Sequence, residues 1–525
     1  MKFKISKDKK FLIMTEFTDI EHEQMNYSLT RRVDNYFIIK KKLKEKANFW
    51  DGEIKFIDRY NRIPVGLIKE VLNICKKYMF QVSIEGLDEL YKSNYNEEDF
   101  YEWIDNYFTK EEFKPRDYQI EAAHRIFRYK NCTEEISTSG GKTLIAFMVF
   151  KYLYDNCNDV VCASTGIKSK KNFKMLYIVP NISLVTQTEE KFYEYEAKTG
   201  HKPTWYSECL YSGAEKSENN SNIVIGTFQS LGKKDLDYFK SFNVVIVDEA
   251  QHGKSNTIKN ILIKCCNAEY KIGLTGTLPK EGSCDSFIIQ SYIGPCVYKL
   301  EAAKLISDGN ATPVKVIGIE MDYLGNEEKK KLFELRNVKS DEKDGAKLLI
   351  LEKNIARMSR KRFIYICETI AKSTKNSLVL FSDIQNEYGR RIYDWLRENT
   401  NKNVYYIDGN TKTENRDYFK KKMEEEENTI IVASVGVFGE GIDIRNLHNI
   451  YICESHKSEI IIAQILGRGM RLLEGKDEIT VIDFRDNFSW SSGYQRDNYL
   501  MRHAKQRDEI YRKRKFPFKN FKVTL

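Results

Sequence analysis

A loop of small residues at positions 136–143, with the sequence Ile-Ser-Thr-Ser-Gly-Gly-Lys-Thr, carries the clearest chemistry of this chain. It leads directly into an apolar segment, 144–150, that is typical of the beginning of a helix. Backbone N–H groups of such a loop point into one concavity, and the helix N-terminus adds partial positive charge. The loop therefore predicts a phosphate site, with Lys142 at the outer phosphates and the Thr143 hydroxyl on a bridging Mg²⁺. Ile136 stands where the general phosphate-loop pattern has its first glycine. The rest of the cradle would come from Ser139, Gly140 and Gly141.

Two adjacent carboxylates, Asp248 and Glu249, follow a run of hydrophobic β-forming residues at 243–247. A carboxylate at a strand end, in the same sheet as a phosphate loop, can hold Mg²⁺ through water. Its neighbour can orient or deprotonate the water that attacks the γ-phosphate. We assign Asp248 to the metal and Glu249 to the water. The combination with a phosphate loop favours this hydrolytic assignment over an ordinary Asp-Glu pair in a loop.

A third group of candidate residues lies in the segment 464–471, Gln-Ile-Leu-Gly-Arg-Gly-Met-Arg. Arg468 and Arg471 are three residues apart, so we expect them to share one face of a helix. Planar guanidinium groups suit the γ-phosphate of a nucleotide, as an arginine finger does. The apolar residues 460–463 indicate that the beginning of this helix is packed against the protein.

Two further turns follow predicted strands. Gly441-Ile-Asp443 would bring the backbone close to a phosphate of nucleic acid or to the ribose side of a nucleotide. Thr275-Gly-Thr277 ends another strand with hydroxyl groups that could link two domains. Taken alone, either turn also fits an ordinary loop.

The elements that must position these residues alternate between helices and short β-branched strands from residue 113 onward. This pattern is typical of parallel α/β sheets, in which ligands bind at the carboxyl ends of the strands. The predicted strands form two series, 175–180, 222–227, 243–248 and 270–275, and then 377–382, 404–407, 429–434, 449–453 and 479–483. The fold class is therefore α/β, with two parallel-sheet domains.

The N-terminal segment has no nucleotide signature. A tight-turn signal at Asp51-Gly52, a predicted strand at 53–58 and an amphipathic helix at 67–78 together predict a small α+β domain. Its basic and aromatic residues, Trp50 among them, suit a grip on nucleic acid, although core packing is the commoner role of such aromatic side chains. The expected division is a 1–105 α+β domain, a 106–320 first sheet domain, a 321–354 linker or insertion, a 355–490 second sheet domain and a 491–525 basic tail.

Composition narrows the class of protein. The 525 residues carry a net charge of +9, which permits a polyanionic partner without requiring one. No apolar run is long enough for a membrane span, and the eleven cysteines form no C-x-x-C pair. We therefore expect a cytoplasmic protein with reduced thiols, without a zinc site and without a membrane partner.

The ordered set of motifs resembles the superfamily 2 helicases and translocases, over roughly residues 113–490. The set comprises Arg116-Asp-Tyr-Gln119, the phosphate loop, Asp248-Glu-Ala-Gln-His252, Thr275-Gly-Thr277, Gly441-Ile-Asp443 and Gln464-x-x-Gly-Arg-x-x-Arg471. The resemblance implies two tandem RecA-like domains with ATP and Mg²⁺ in the cleft between them.

The same resemblance implies roles for individual residues. Gln119 would contact adenine beside Arg116, and Thr275 and Thr277 would couple hydrolysis to movement. The second domain would complete the nucleotide site with Gln464, Arg468, Arg471, Gly441 and Asp443. The nucleic-acid backbone would be faced by Pro180 to Gln187, Thr227, Phe228, Gln229 and Ser382.

Within this superfamily the chain is similar to the UvsW-type phage recombination helicases, through Trp50-Asp-Gly52, Pro64-x-Gly66, the degenerate phosphate loop and the segment 433–438. That similarity implies a 3′→5′ ATP-driven motor that remodels branched DNA, including forks, Holliday junctions and the RNA–DNA hybrids of R-loops. It also implies an N-terminal domain that grips DNA, and we expect a monomeric motor in the cytoplasm of a bacterial host.

Other functions remain open at this stage. The Gln251-His252 ending resembles motors of which some act on RNA, so an RNA helicase is the first alternative. The basic run Arg512-Lys-Arg-Lys515 also suits an annealing or binding protein in which hydrolysis is secondary. A motor subunit of a restriction enzyme is the third, with a nuclease supplied by a partner.

Overall fold

The computed structural model describes residues 1–34, 36, 39–40, 50–91, 95–157, 172–212, 221–323, 345–382, 387–438, 444–456, 458–489 and 497–525. They divide into two compact units, one with residues 1–136 and 141–299 and the other with residues 137–140 and 300–525. Within the described part of the chain, no helix is both long and apolar enough to cross a membrane.

The N-terminal part of the first unit is a small α+β structure, as the sequence predicts. Its four-stranded sheet has the order β5-β2-β1-β6, and β3 and β4 form a separate antiparallel pair. The elements are β1 (Lys2–Ile5), β2 (Phe11–Glu16), α1 (Asp19–Ser28), β3 (Thr30–Arg32), β4 (Glu53–Lys55), β5 (Arg62–Pro64), a 3₁₀ turn (Val65–Leu67), α2 (Ile68–Lys77), β6 (Ser83–Glu85) and α3 (Leu87–Tyr91).

This N-terminal structure shares its core with a later segment of the same unit. Phe287 and Ile288, from the helix 284–292, are buried with Phe56, Leu67 and other N-terminal residues. A Cβ at Gly66 would stand 1.8 Å from the backbone oxygen of Gln290, so the Pro64-x-Gly66 motif allows the two segments to touch. Residues 1–105 are thus not an independent domain, which differs from the expected boundary.

The first parallel sheet has seven strands in the order β13-β7-β12-β11-β8-β10-β9. Five neighbouring pairs in this order are parallel, namely β7–β12, β12–β11, β11–β8, β8–β10 and β10–β9. The strands are β7 (Asn131–Ile136), β8 (Met175–Val179), β9 (Ser207–Leu210), β10 (Ile223–Thr227), β11 (Val244–Asp248), β12 (Tyr270–Thr275) and β13 (Cys296–Leu300). The helices are α4 (Glu97–Tyr107), α5 (Asp117–Tyr129), α6 (Lys142–Asn156), α7 (Ile182–Thr199), α8 (Phe228–Leu231), α9 (Leu236–Phe239), α10 (Asn256–Lys264) and α11 (Cys284–Tyr292), with 3₁₀ turns at Glu111–Phe113 and Ala250–Lys254.

The central strands of this sheet are hydrophobic along their whole length because helices cover both faces. Every residue of β8 and β10 is buried. Strands β8, β10 and β11 run parallel to one another, so their carboxyl ends lie at the same edge of the sheet. This edge presents the candidate site.

The second unit contains another seven-stranded sheet, with the order β16-β17-β15-β18-β19-β14-β20. All six pairings are parallel. The strands are β14 (Val314–Asp322), β15 (Ser377–Phe381), β16 (Val404–Ile407), β17 (Ile430–Ser434), β18 (Asn449–Ile452), β19 (Ile479–Asn487) and β20 (Phe518–Thr524). The helices are α12 (Ala302–Ser307), α13 (Gly345–Met358), α14 (Arg360–Ala371), α15 (Tyr388–Asn399), α16 (Thr413–Glu425), α17 (Val435–Phe438), α18 (Glu459–Gly469) and α19 (Tyr499–Lys513). The predicted α/β class with two parallel sheets is confirmed.

The C-terminal residues do not form the separate basic tail that the sequence suggests. Strand β20 pairs with β14 along seven positions, and α19 packs against β19 through a buried ion pair. Arg507 donates to both oxygens of Asp483, at 2.8 and 3.0 Å, and all of these atoms are buried. A buried aspartate requires a paired cation, and Arg507 of α19 shares this role with Arg485 of β19, which lies 3.0 Å from an Asp483 oxygen. The expected linker, in contrast, falls mostly on 324–344, outside the described residues.

Candidate active site

The phosphate loop connects the end of β7 to the beginning of α6. Gly141 caps α6 in the left-handed conformation, with φ of +80°. A Cβ at this position would also stand 2.1 Å from the side-chain nitrogen of Gln119. Both the backbone conformation and the close approach therefore require glycine.

Gln119 and Arg116 belong to the first turn of α5 and its cap. The backbone N–H of Arg116 donates to the Gln119 side-chain oxygen at 2.9 Å, and Gln119 is buried. Arg116 itself is exposed, and its guanidinium donates to the Tyr118 hydroxyl at 2.9 Å. The structure thus brings Gln119 against the phosphate loop, as expected for a residue of this site.

Lys142 is the first residue of α6. Its ammonium group donates to the backbone oxygen of Ile136 at 3.3 Å, so it folds back over the end of β7. The positive charge of Lys142 offsets part of the rise in the pKa of Asp248 that is described below, so the two side chains lie close enough to interact electrostatically. Thr143 follows Lys142 and is half-buried.

Asp248 ends β11 and is the most perturbed carboxylate of the site. Loss of hydration raises its pKa to about 6, and the neighbouring Glu249 charge contributes in the same direction. The backbone N–H of Glu249 donates to an Asp248 oxygen at 2.9 Å. The Tyr177 side chain of β8, fully buried, lies beside Asp248, whose charge adds to burial in raising the pKa of Tyr177.

Glu249 adopts the left-handed conformation, with φ of +52°, which is unusual for a residue with a side chain. Strain of this kind is retained where surrounding contacts hold the backbone. Here the His252 backbone N–H donates to the Glu249 backbone oxygen at 3.0 Å. The Gln251 amide donates to a Glu249 carboxylate oxygen at 2.8 Å.

A buried hydrogen-bond chain continues from Glu249 to β12. The Thr275 hydroxyl donates to the Gln251 side-chain oxygen, and the Thr277 backbone N–H donates to the Thr275 hydroxyl oxygen at 3.1 Å. Gln251, Thr275 and Thr277 are all at least 96% buried. Gln251 was within the predicted motif without an assigned role, and its contacts appear only once β11 and β12 are adjacent.

In the second unit, Gln464 and Arg468 lie four residues apart on α18, and both are half-buried. The expectation that Arg471 shares a helix face with Arg468 is wrong, because α18 ends at Gly469. The carbonyl groups after the helix are bound from elsewhere in the unit. The Thr312 backbone N–H donates to the backbone oxygen of Met470 at 2.8 Å, and the Thr312 hydroxyl donates to the backbone oxygen of Arg471 at 2.9 Å.

Lys476 completes this helix end. Its ammonium donates to the backbone oxygens of Gly469 and Arg471, at 2.6 and 3.2 Å. Gly441 and Asp443 lie outside the described residues.

The predicted nucleic-acid contacts lie at strand ends, as expected, with differing exposure. Pro180 follows β8 and is buried, and Gln187 is half-buried in α7. Thr227 ends β10, is buried and caps α8, whereas Gln229 of α8 is exposed and Phe228 is half-buried. Of this group, Gln229 presents the largest accessible side chain.

Ser382 and Trp50 are the remaining two predicted contacts. Ser382 follows β15, and its hydroxyl lies 2.6 Å from the His456 Nε2 atom. Burial first, and then the Arg507 charge, lower the pKa of His456 to about 4, so this imidazole is neutral at pH 7. Trp50 is half-buried, and its backbone oxygen accepts from the Tyr36 hydroxyl at 3.2 Å.

Comparisons with known proteins identify relatives of this chain. Residues 112–280 match the family model described as type III restriction enzyme, res subunit, and residues 361–472 match the helicase conserved C-terminal domain. The chain is 27% identical to the ATP-dependent DNA helicase uvsW of Enterobacteria phage T4, over 89% of each chain. It is 26% identical to the putative ATP-dependent helicase IRC3 of Saccharomyces cerevisiae, over 70% of this chain and 51% of the relative.

A solved structure supports the fold. The ATP-dependent type ISP restriction-modification enzyme LlaBIII bound to DNA aligns with a TM-score of 0.54 at 17% identity, covering 78% of this chain and 32% of the enzyme. The two matched domain models, the relatives and the geometry of the phosphate loop and its carboxylates together place this chain among the ATP-hydrolysing helicases of superfamily 2, with similarity to the UvsW helicases.

Proposed function

We propose that this protein is an ATP-dependent 3′→5′ DNA helicase that remodels branched DNA, namely forks, Holliday junctions and R-loops, in recombination, replication and repair. The observation that carries the motor assignment is the buried chain from Glu249 through Gln251 to Thr275 and Thr277, beside Lys142 and Asp248. Similarity to a phage protein named as an ATP-dependent DNA helicase, over 89% of both chains, supports DNA as the substrate.

The residues of the phosphate loop and of the end of β11 fit ATP with Mg²⁺. Asp248 is a poorly hydrated carboxylate with its pKa raised to about 6, and a divalent cation would stabilise its charged form. Thr143, at the beginning of α6, supplies a hydroxyl of the type that binds this metal. When bound, Mg²⁺ neutralises charge on the β- and γ-phosphates. Ser139, Gly140, Gly141 and Lys142 bind the phosphates, and Gln119 and Arg116 bind the base.

Glu249 acts as the general base in this proposal. Its carboxylate is held by Gln251 and would accept a proton from the attacking water. Gln251 links the half-buried Glu249 to the buried Thr275 and Thr277, so the end of β12 would respond to a change at Glu249. This is how hydrolysis would be coupled to movement of bound DNA.

Residues of the second unit complete the cycle. Gln464, Arg468 and Arg471 would stabilise the γ-phosphate charge, and Gly441 and Asp443 would contact the nucleotide. The contacts to nucleic acid would be made by Pro180, Gln187, Thr227, Phe228, Gln229, Ser382 and Trp50. Closure on ATP and release after hydrolysis would shift the grip on DNA.

The test is the ATPase rate of the full chain with four ligands: single-stranded DNA, forked DNA, a Holliday junction and single-stranded RNA. We expect the branched DNAs to stimulate the rate most, and Lys142→Ala to abolish the stimulated rate. Lys240→Ala, at an exposed lysine paired with Asp237 at 2.7 Å, is the matched control and should retain activity. Stimulation by RNA alone would contradict the DNA assignment, and full activity of Lys142→Ala would contradict the site.

A further inference from the structure

The turn between β4 and β5 presents an aromatic side chain flanked by arginines. Tyr60 is 57% exposed at the tip of this turn. The guanidinium groups of Arg59 and Arg62 lie 4.8 and 5.0 Å from the centre of its ring. Proteins bind single-stranded nucleic acids with exposed aromatic rings, on which bases stack, and with adjacent cations, which contact the phosphates.

The backbone of this turn is held firmly by Asp58. One Asp58 oxygen accepts from the backbone N–H groups of Tyr60 and Arg62, at 2.9 and 3.0 Å. The other accepts from the Arg62 Nε atom at 2.7 Å. Asn61, with φ of +57°, accepts at its backbone oxygen from the N–H of Met14 at 3.0 Å. Tyr60 takes part in these hydrogen bonds only through its backbone N–H, so they do not require an aromatic residue here.

The amino-acid sequence of the N-terminal segment carries a net positive charge, which is complementary to a polyanion. Residues 1–80 contain 18 Lys and Arg against 11 Asp and Glu, which is +7 of the chain's formal charge of +9. Positive potential of this kind attracts phosphate, and a preordered turn loses little conformational entropy on binding.

We propose that the turn 58–62 is a stacking site for an unpaired base of single-stranded DNA, with the Tyr60 ring on the base and Arg59 on a flanking phosphate. The proposal rests on the proposed function, because it identifies where the N-terminal structure contacts the substrate. It assigns Arg62 to holding the turn and the Tyr60 ring to the contact.

Fluorescence anisotropy of a labelled thymidine 20-mer, without nucleotide, tests this site on the full chain. Tyr60→Ala should weaken binding roughly ten-fold, and Tyr60→Phe should bind as the unchanged protein does, because the ring remains. Tyr27→Ala, at a tyrosine of α1 that is 78% exposed, is the matched control and should have no effect. Arg59→Ala should lower the slope of log affinity against log salt by about one.

A strand of the same length made of abasic sites separates stacking from structural effects. The difference between Tyr60→Ala and the unchanged protein should disappear on this strand. An equal loss on both strands would overturn stacking, and no loss on the thymidine strand would overturn the site. Tyr60-dependent binding of polyglutamate would assign the turn to an acidic polypeptide and overturn the proposal. If the unchanged protein binds no nucleic acid at all, the proposed function itself fails.

Discussion

The Thr275 hydroxyl donates a hydrogen bond to the side-chain oxygen of Gln251, and both side chains are buried. The Gln251 amide donates in turn to Glu249 at 2.8 Å. The end of β12 is thus two hydrogen bonds away from the proposed catalytic carboxylate. Buried groups of this kind are costly to leave unpaired, so the two strand ends are expected to respond together.

Gln251→Met tests this connection, because it keeps the side-chain size and removes both hydrogen bonds. We expect the DNA-stimulated kcat to fall roughly ten-fold or more, since Glu249 and Thr275 each lose a partner. ATP affinity should change by no more than about two-fold, since no phosphate contact is removed. Gln81→Met, at an exposed glutamine of the same unit without an assigned role, is the control. An unchanged kcat in Gln251→Met would contradict the coupling role.

Glu249→Gln should separate ATP binding from hydrolysis. The amide keeps the shape of the side chain but cannot accept the proton of the attacking water, so kcat should fall at least about 100-fold. Nucleotide binding, measured with a fluorescent ATP analogue, should persist. Glu269→Gln changes an exposed acid of the same unit and should leave kcat unchanged. Substantial hydrolysis by Glu249→Gln would assign the base elsewhere.

The ATPase rate should depend on the protonation of Asp248. Loss of hydration raises the pKa of this carboxyl to about 6, so its charged form is present above pH 6 and is lost as the pH falls through that value. We expect the rate to fall below pH 6 at low Mg²⁺. Raising the Mg²⁺ concentration should move the midpoint to lower pH, because metal and proton compete for the carboxylate. A midpoint that does not respond to Mg²⁺ would argue against Asp248 as the metal-binding residue.

Glu134 is predicted to reduce the stability of the first unit at neutral pH. It lies in β7, is fully buried, and neither carboxylate oxygen has a hydrogen-bond partner within the described residues. Burial raises its pKa well above the ordinary value, so the folded state disfavours ionisation and loses stability as the pH rises above the unfolded-state pKa.

Glu134→Met should therefore raise the thermal midpoint of the nucleotide-free protein. The expected gain in the free energy of unfolding is about 1–3 kcal/mol at pH 8, and it should shrink toward pH 4. Glu53→Met, at an exposed acid of β4, is the control. A lower midpoint for Glu134→Met at pH 8 would show that the carboxylate has a stabilising partner.

The second unit should depend on the pairing of Arg507 with Asp483. Arg507→Met would remove two hydrogen bonds from the buried Asp483 and leave Arg485 as its paired cation, so we expect a cost of about 1–3 kcal/mol. Arg512→Met changes an exposed arginine on the same helix and should have little effect. Urea unfolding followed by circular dichroism measures both. Equal stability of the two variants would mean that the pairing of Arg507 with Asp483 does not stabilise the second unit.

The sequence predicts the central strands well because helices cover both of their faces. The predicted strand 270–275 coincides with β12, and those for β8, β10 and β11 differ by one residue at an end. In contrast, β7, β9, β13, β14 and β20 are not among the predicted strands. β7 contains the polar run Thr133-Glu-Glu135, and β20 is an edge strand with exposed lysines, so neither shows a continuous apolar pattern.

Site residues were predictable where their chemistry is local, as in the phosphate loop and the Asp248-Glu249 pair. The role of Gln251, the position of Tyr177 beside Asp248 and the His456–Ser382 contact depend on strands that meet only in the folded sheet. Helix α18 ends before Arg471, where Thr312 and Lys476 bind the backbone oxygen of Arg471. Thr312 is far away in the sequence, and a lysine five residues after Arg471 is not a recognised signal for the end of a helix. Tertiary contacts of this kind are not encoded in residue spacing.

Strand separation of a synthetic Holliday junction is the most direct test of the central claim, that ATP hydrolysis at this site drives remodelling of DNA. We predict that the full chain converts the junction to duplex products with ATP and Mg²⁺, and that neither Glu249→Gln nor a non-hydrolysable ATP analogue supports conversion. Conversion at the same rate without hydrolysis would contradict a motor and leave an annealing or binding protein.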